Sequence, residues 1–268
     1  MNMGKKTAEV VDASIKSPVG KAIALLRVLA VHGRRGSALT ELAAETQMPH
    51  PTVHRLMHQL VGERLVVRDD DTRRYRLGAL TFELGVAAAQ LFDIRAHCRT
   101  ALERLAGECG DTAYLVLRSG IEAVCLDRVE GPAPIRVVNL EIGSRRLLGV
   151  GAGGLAILAA LREADRSQLL LSLHPRLAEE YKLPITLVNR SITEARQAGF
   201  SLIRNRVTLG TTALGRHICD SLGNPIAAVS IAAINDRMDS RRTAEAARHV
   251  RRAAQEMEKM LRGQQTIR

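Results

Sequence analysis

The sequence predicts an α+β protein with a winged helix-turn-helix at its N-terminal end, on three observations. Three stretches with helical apolar spacing follow one another before residue 65. Two short extended runs around an acidic turn come directly after them. Beyond residue 93, locally paired strands alternate with helices without a regular βα repeat, which indicates an antiparallel sheet.

The first helical stripe is Val19, Ile23, Leu26 and Ala30. Thr40 stands where it can cap a short second helix carrying Leu42 and Ala43. In the third, Val53, Leu56, Met57, Leu60 and Val61 fall at i, i+3, i+4, i+7 and i+8. Each helix has one stripe to bury, so the three are expected to pack on one another. Pro49 breaks the chain after the second helix, Pro51 suits the first turn of the third, where a missing N–H costs nothing, and Gly62 stops it. "LVVRDDDTRRYRLG", Leu65 to Gly78, then reads as a β-hairpin.

With its stripe turned inward, the third helix leaves Thr52, His54, Arg55, His58 and Gln59 facing out. These side-chain types donate to phosphates and base edges when a helix enters the major groove of double-stranded DNA. Arg73, Arg74 and Arg76 fit a wing lying along a phosphate backbone, although each taken singly reads equally as a solvated arginine. The plainer reading of the histidines is exposed polar residues on a core helix. His54 and His58 at i, i+4 also raise a metal site, but a third ligand and an organised second shell are not visible nearby, so no metal is expected.

Charge points the same way. The formal net charge is +11, and residues 1–80 hold 13 Lys and Arg against 8 Asp and Glu. Residues 241–268 hold 8 against 3, while the 160 residues between hold 18 against 17. A basic terminal segment is the electrostatic footprint of a polyanion-binding module. Of the 268 residues 46% are apolar but only 2% aromatic, and Trp is absent, so the cores must be built from Leu, Val, Ile and Ala. Residues 1–16 read as a disordered lead rather than a signal peptide. The longest apolar run, Leu147 to Leu161, is 15 residues, too short to span a bilayer, so no membrane partner is expected. Cys98, Cys109, Cys125 and Cys219 form no C-x-x-C pair, which fits a reducing, cytoplasmic compartment.

The organisation expected is a winged helix-turn-helix over 17–78, a linker helix over 79–92 and a second domain over 93–268. In the linker, Leu80, Leu84, Ala87 and Leu91 recur at +4, +3, +4, which either pairs two chains as a short coiled-coil seam or packs within one subunit. Ala113 to Val129 reads as a hairpin turning near Ser119-Gly120, Ile135 to Gly143 as a strand, and Gly153 to Arg162 as a helix. Phe200 to Ile234 holds two or three strands with a turn at "SLGNP", and Thr243 to Arg262 closes the chain as a helix.

Gly149, Gly151 and Gly154 match G-x-G-x-x-G and open a helix. The acidic residue that a dinucleotide site needs about 20 positions past the strand is missing, and no parallel βαβ series surrounds the motif. No nucleotide or other cofactor is expected.

The chain resembles the isocitrate lyase regulator (IclR) family of bacterial transcription factors over about residues 17–261. The resemblance lies in "ALTELAAETQMPHPTVHRLMHQLVGERLV", similar to that family's second helix, turn and recognition helix, and in "YRLG" at the wing's end. "LLGVGAGGLAIL" stands in the place of its Gly-rich turn and helix, and "GFSLIRNRVTLGTTALGRHICDSLGNPIAAVSIA" is similar to its closing strands. The resemblance implies a linker helix used in dimerisation and a GAF-like, antiparallel-sheet domain that binds a small effector. It implies a homo-oligomer, dimer or tetramer, with operator DNA as partner and no enzymatic activity. The family's effector pocket falls on Gly151 and Ala152, on Ile203, on Thr211 and Ala213, and on Ser230 and Ala232. The chain departs from the family in lacking acidic residues in "LIRNR", a Cys at Ala213, a basic residue at Gly154 and, often, a Ser at Ala232.

Strand alternation sharpens the pocket. If Ile203 faces it, Ser201 does too, while Arg204 and Arg206 point away. On the later strand the same parity carries from Thr211 and Ala213 to Gly215 and His217, absent a bulge. The expected effector is mainly apolar or aromatic with one polar end, met by Thr211, Ser230 and His217; a core histidine bonded to backbone is the other reading of His217. Two rivals remain: a regulator whose sensor domain serves only assembly, and an enzyme with Cys219 or Cys125 as nucleophile and His217 or His174 as base.

Overall fold

The computed structural model describes the backbone of residues 17–92 and 94–265. The chain divides into two compact units, Met1–Asp93 and Ile94–Arg268. The lead over 1–16 lies outside the described residues, as does the side chain of Leu91.

In the first unit, helix α1 (Pro18–His32) begins at Ser17, whose Oγ accepts the Gly20 N–H at 2.9 Å, with Pro18 in the first turn. A 3-10 turn (Gly33–Arg35) leads to α2 (Leu39–Thr46), α3 (His50–Gly62) and the hairpin β1 (Val66–Arg68) and β2 (Tyr75–Leu77). Leu25, Leu29, Leu42, Val53, Leu56, Met57, Leu60, Val66 and Tyr75 form one core. Two expectations are corrected here. The buried stripe of α1 is Leu25 and Leu29, flanked by Ala22, Leu26 and Val28, while Val19 and Ile23 are 72% and 43% exposed. "AIALLRVLAV" is apolar on every side, so periodicity gives no unique face and packing selects one. Thr40 sits inside α2 rather than capping it; Ala38 is the N-cap, and Glu41 reaches back to accept its N–H at 3.0 Å. Val61, at the edge of the α3 stripe, is exposed.

Helix α4 (Ala79–Phe92) follows directly, with Leu80 N–H donating to Arg64 C=O at 3.1 Å. Leu80 is half-buried, whereas Phe82 is 74% and Leu84 56% exposed, and Val86 is exposed as well.

The second unit holds a six-stranded antiparallel sheet in the order β5-β4-β3-β8-β7-β6. The strands are β3 (Thr112–Ser119), β4 (Glu122–Val129), β5 (Arg145–Leu147), β6 (Ser201–Arg204), β7 (Thr211–Cys219) and β8 (Pro225–Ile234). Helices α5 (Ile94–Cys109) and α9 (Ser240–Gln265) pack on one face through Leu102, Leu105, Val250 and Met257 against Leu115, Leu214, Val229 and Ile231. Helices α6 (Ala152–Ala160), α7 (Glu163–Tyr181) and α8 (Ile185–Ala198) cover the other, around Leu155, Leu158, Leu177 and Val188. Both faces are buried, so the central strands β3 and β8 are almost continuously apolar rather than alternating.

Ile135–Gly143 is not a strand; the strand on the outer side of β4 is Arg145–Leu147, and of the earlier stretch Gly143 bonds β4, donating to Cys125 C=O at 2.8 Å. The segment instead runs irregularly, fixed by side chains. Tyr114 Oη donates to Val137 C=O at 2.5 Å and accepts the Asn139 N–H at 3.3 Å, Arg146 donates to Asn139 C=O, and Asn139 Nδ2 donates to Thr208 Oγ1 at 3.2 Å. These bonds take the place of a ladder.

Candidate nucleic-acid interface and ligand cavity

Helix α3 buries Val53, Leu56, Met57 and Leu60 and presents His54, Arg55, His58 and Gln59 to solvent, with Thr52 half-buried beside them. The helix therefore has one face occupied by its own core and one that is polar and open. A groove runs between α3 and the hairpin, lined among others by His54, His58, Arg64 and Arg68. Arg64 and Arg68 carry no periodic signal in the sequence that marks them for this groove; Arg64 also pairs with Glu83 at 2.9 Å.

The three hairpin arginines do not share a role. Arg73 stands exposed at the turn, with φ at +54°. Arg74 is turned inward: Nε and Nη2 donate to the carbonyls of Arg35 and Gly36 at 3.1 Å, and Nη2 meets Glu41 Oε2 at 2.6 Å. That bond holds Glu41 below the usual carboxylate range. Arg76 pairs with Asp69. Both guanidiniums are thus engaged within the unit, Arg74 with the segment before α2 and with Glu41, and Arg76 within the hairpin, whereas Arg73 stands out at the turn. Arg74→Ala is expected to loosen the wing, lowering the melting temperature, whereas Arg73→Ala should leave it unchanged. Thermal denaturation of the two variants checks this.

The cavity lies in the second unit between the sheet, α6 and the Ile135–Gly143 segment. Cross-strand register builds its floor: Ile203 pairs with Ala213 and Ala213 with Ala232, across β6, β7 and β8. Ser230 lies opposite Tyr114 on β3. Gly151 and Ala152 at the start of α6 and Thr211 complete the set, so seven of the eight sequence-derived positions line one cavity. The unfilled space, mouth included, is about 640 Å³.

His217 does not reach it. The parity along β7 holds, but Gly215 intervenes: a Cβ there would lie 2.8 Å from the Ala152 backbone. Helix α6 rests directly on that glycine and closes the cavity, leaving His217 on the far side beside Arg216, Gly199 and Phe200. Burial and the neighbouring Arg216 charge hold its imidazole below the usual histidine value.

Arg206 was expected to point away and instead lines the cavity. Strand β6 ends at Arg204, and Asn205 turns left-handed at φ +53°, so alternation stops and the next side chain swings in. Its Nη1 donates to Gly149 C=O at 3.2 Å and Nη2 to Ser191 Oγ at 2.6 Å. Arg204 does point away, donating to Met238 C=O at 2.7 Å. Arg146 on β5 also lines the cavity, and it lies beyond the Ile135–Gly143 stretch whose composition suggests the strand.

The thiols are poorly set for nucleophilic chemistry. Burial pushes Cys125 up to about 12 and raises Cys219. Gly149, Gly151 and Gly154 follow an antiparallel edge strand, not a parallel βαβ unit.

Residues 18–70 match the IclR helix-turn-helix domain, and residues 86–259 match the family described as bacterial transcriptional regulator IclR C-terminal. The chain belongs to the IclR family. It is a DNA-binding transcriptional regulator with an effector-binding C-terminal domain. This IclR-family chain is 25% identical over 255 residues to the HTH-type transcriptional repressor AllR of Escherichia coli strain K12, covering 93% of this chain and 92% of AllR. It is 28% identical over 224 residues to the transcriptional repressor IclR of the same strain, covering 82% and 81%. Among solved structures, an IclR transcriptional regulator from Alicyclobacillus acidocaldarius aligns at a TM-score of 0.74 and 23% identity over 91% of this chain and 98% of that one. An IclR homolog from Microbacterium hydrocarbonoxydans complexed with 4-hydroxybenzoate aligns at 0.71 and 20% over 91% and 99%. These two are likenesses of fold. No described helix is long and apolar enough to cross a membrane.

Proposed function

We propose that the protein works in the cytoplasm as a homo-oligomer, dimer or tetramer, that grips operator DNA with the outward face of α3 and is tuned by a small organic acid in the second unit's cavity. Thr52, His54, Arg55, His58 and Gln59 read the major groove, and Arg73 meets the backbone. The observation that carries the DNA reading is the division of α3 into a face consumed by its core and a polar face left open. The cavity's apolar floor of Ile203, Ala213 and Ala232 favours an apolar body on the effector, with Ser230 and Thr211 available to a polar end. The relative crystallised with 4-hydroxybenzoate supports an effector of that size.

Regulation follows by population shift. An effector that prefers one arrangement of the second unit changes how paired recognition helices are presented, and so DNA affinity. Pairing itself is assigned to the α4 stripe of Leu80, Leu84 and Ala87, of which Leu84 and Ala87 lie exposed. Leu84→Glu should place a charge in that seam, shift sedimentation toward a lighter species and weaken operator binding by more than tenfold. An unchanged sedimentation coefficient contradicts the assignment. The regulatory reading is tested by fluorescence anisotropy on a labelled fragment from upstream of the protein's own gene, titrated with a panel of aromatic and short-chain acids. Operator release or tightening by at least one acid is expected; indifference to the whole panel would leave the second unit a role in assembly only.

A further inference from the structure

Two cationic side chains enter this cavity and no anionic one does. Its lining contains Arg146 and Arg206 but neither Asp nor Glu. Among the described residues neither guanidinium forms an ion pair with a carboxylate; Arg146 bonds Asn139 C=O, and Arg206 bonds Gly149 C=O and Ser191 Oγ. Elsewhere in the same unit half-buried arginines divide: Arg145 pairs with Glu122 and Arg128 with Glu130 and Glu141, while Arg118 and Arg216 bond the carbonyls of Gly120 and Gly199, but none of these four lines the cavity. A buried charge that is hydrogen-bonded but not neutralised is costly, and such charges are ordinarily paired. Desolvation lowers both guanidiniums from their ordinary value; the Glu194 charge opposes this at Arg206 without pairing with it, and no carboxylate does so at Arg146.

The two have separate addresses. Arg146 comes from β5 and Arg206 from just past β6, the opposite edges of the six-stranded sheet. They flank the Gly-rich turn: Arg206 holds Gly149 C=O, and Arg146 Nη1 lies 3.9 Å from where a Cβ on Gly151 would stand. That turn opens α6, whose first-turn N–H groups lack partners within the helix and have no acidic side chain beside them. The floor beneath is apolar.

We infer that the cavity is built for a small organic acid carrying two anionic groups, one seated on Arg146 and the other on Arg206, rather than for a monoacid. The inference rests on the effector reading above and specifies its ligand class. A diacid neutralises both guanidiniums and spans the apolar floor with its carbon chain, whereas a monoacid leaves one charge uncompensated. It would also compete with Asn139 C=O for Arg146, and so bear on the segment that covers the cavity.

Calorimetric titration of the full-length protein tests this with succinate, glutarate and adipate against butyrate, pentanoate and 4-hydroxybenzoate, and with methyl phosphate as a compact dianion. At least one dicarboxylate is expected to bind more than tenfold tighter than the monoacid of equal chain length. Arg146→Gln and Arg206→Gln should each bring it down to the monoacid's affinity. Each substitution removes charge-assisted hydrogen bonds but no ion pair, so a modest loss of melting temperature is expected without ligand, and affinities are compared only at temperatures where both variants remain folded. Should either unfold, Arg206→Lys keeps the charge and is expected to retain the dicarboxylate preference in part.

Monoacids that bind as tightly as dicarboxylates, or dicarboxylate binding indifferent to both glutamine variants, would overturn the inference. Methyl phosphate binding tighter than any dicarboxylate would overturn the two-address geometry. In each of those cases binding that is lost in Ile203→Asp leaves the effector reading standing. No binding by any acid, with operator affinity unmoved, would sink both.

Discussion

Arg55→Ala is expected to cost about 1–3 kcal/mol of specific operator binding and to relax sequence preference at one position. Arg55 is exposed near the middle of α3, between the buried Val53 and the buried Leu56 and Met57. Its backbone is therefore held by the core while its guanidinium faces out, the condition under which a bidentate contact to guanine is pre-organised. The substitution removes no packing, so the melting temperature should not change. Arg73→Ala, at the wing turn, is expected to weaken all DNA alike and flatten the salt dependence by about one unit. Binding selections on randomised operator fragments separate the two effects: a changed base preference for the first, a uniform loss for the second.

Gly215→Ala is expected to destabilise the second unit by about 1–3 kcal/mol and to abolish the response to effector. The new methyl would meet the Ala152 carbonyl carbon and oxygen at 2.8 Å and the Gly153 nitrogen at 3.0 Å. These are backbone atoms that no rotamer change can move aside, so the N-terminal turn of α6 must lift from β7. That turn carries Gly151 and Ala152 into the cavity, and its displacement opens the wall next to Ser230. Gly107→Ala supplies the contrast. It lies in α5 with nothing within 4 Å of the added methyl, and replacing a helical glycine should stabilise by up to about 1 kcal/mol. Chemical denaturation of both variants, with the acid panel repeated on each, checks the pair.

The elements legible in the sequence are those with one strong periodic signal. The α3 stripe, the hairpin after it and the closing strands from Ser201 onward all have a single apolar face or a short turn that leaves little choice of register. Cross-strand parity carried the floor of the cavity, because Ile203, Ala213 and Ala232 are register neighbours in an unbroken ladder. It failed where the ladder stops. Arg206 lies two residues past β6 and beyond a left-handed Asn205, and His217 lies past a glycine on which a helix sits. Neither the strand's end nor the helix's resting place has a local signature. Arg146 was hidden for a different reason: "IRVVNLEIG" has β-like composition, yet its backbone is bonded by Tyr114 and Arg146, side chains that arrive from other strands. The α1 stripe failed through excess, since a helix apolar all round has several candidate faces.

Measuring how operator affinity depends on salt, with the full-length protein and the DNA upstream of its own gene, tests the central claim most directly. A regulator that grips phosphates while α3 reads bases should bind that fragment at least about a thousandfold tighter than unrelated DNA, and log affinity should fall linearly with log salt. The Arg55→Ala variant should keep the slope and lose about 1–3 kcal/mol of the preference. Equal affinity for operator and unrelated DNA, or a preference untouched by Arg55→Ala, would contradict the assignment of α3 as the reading surface.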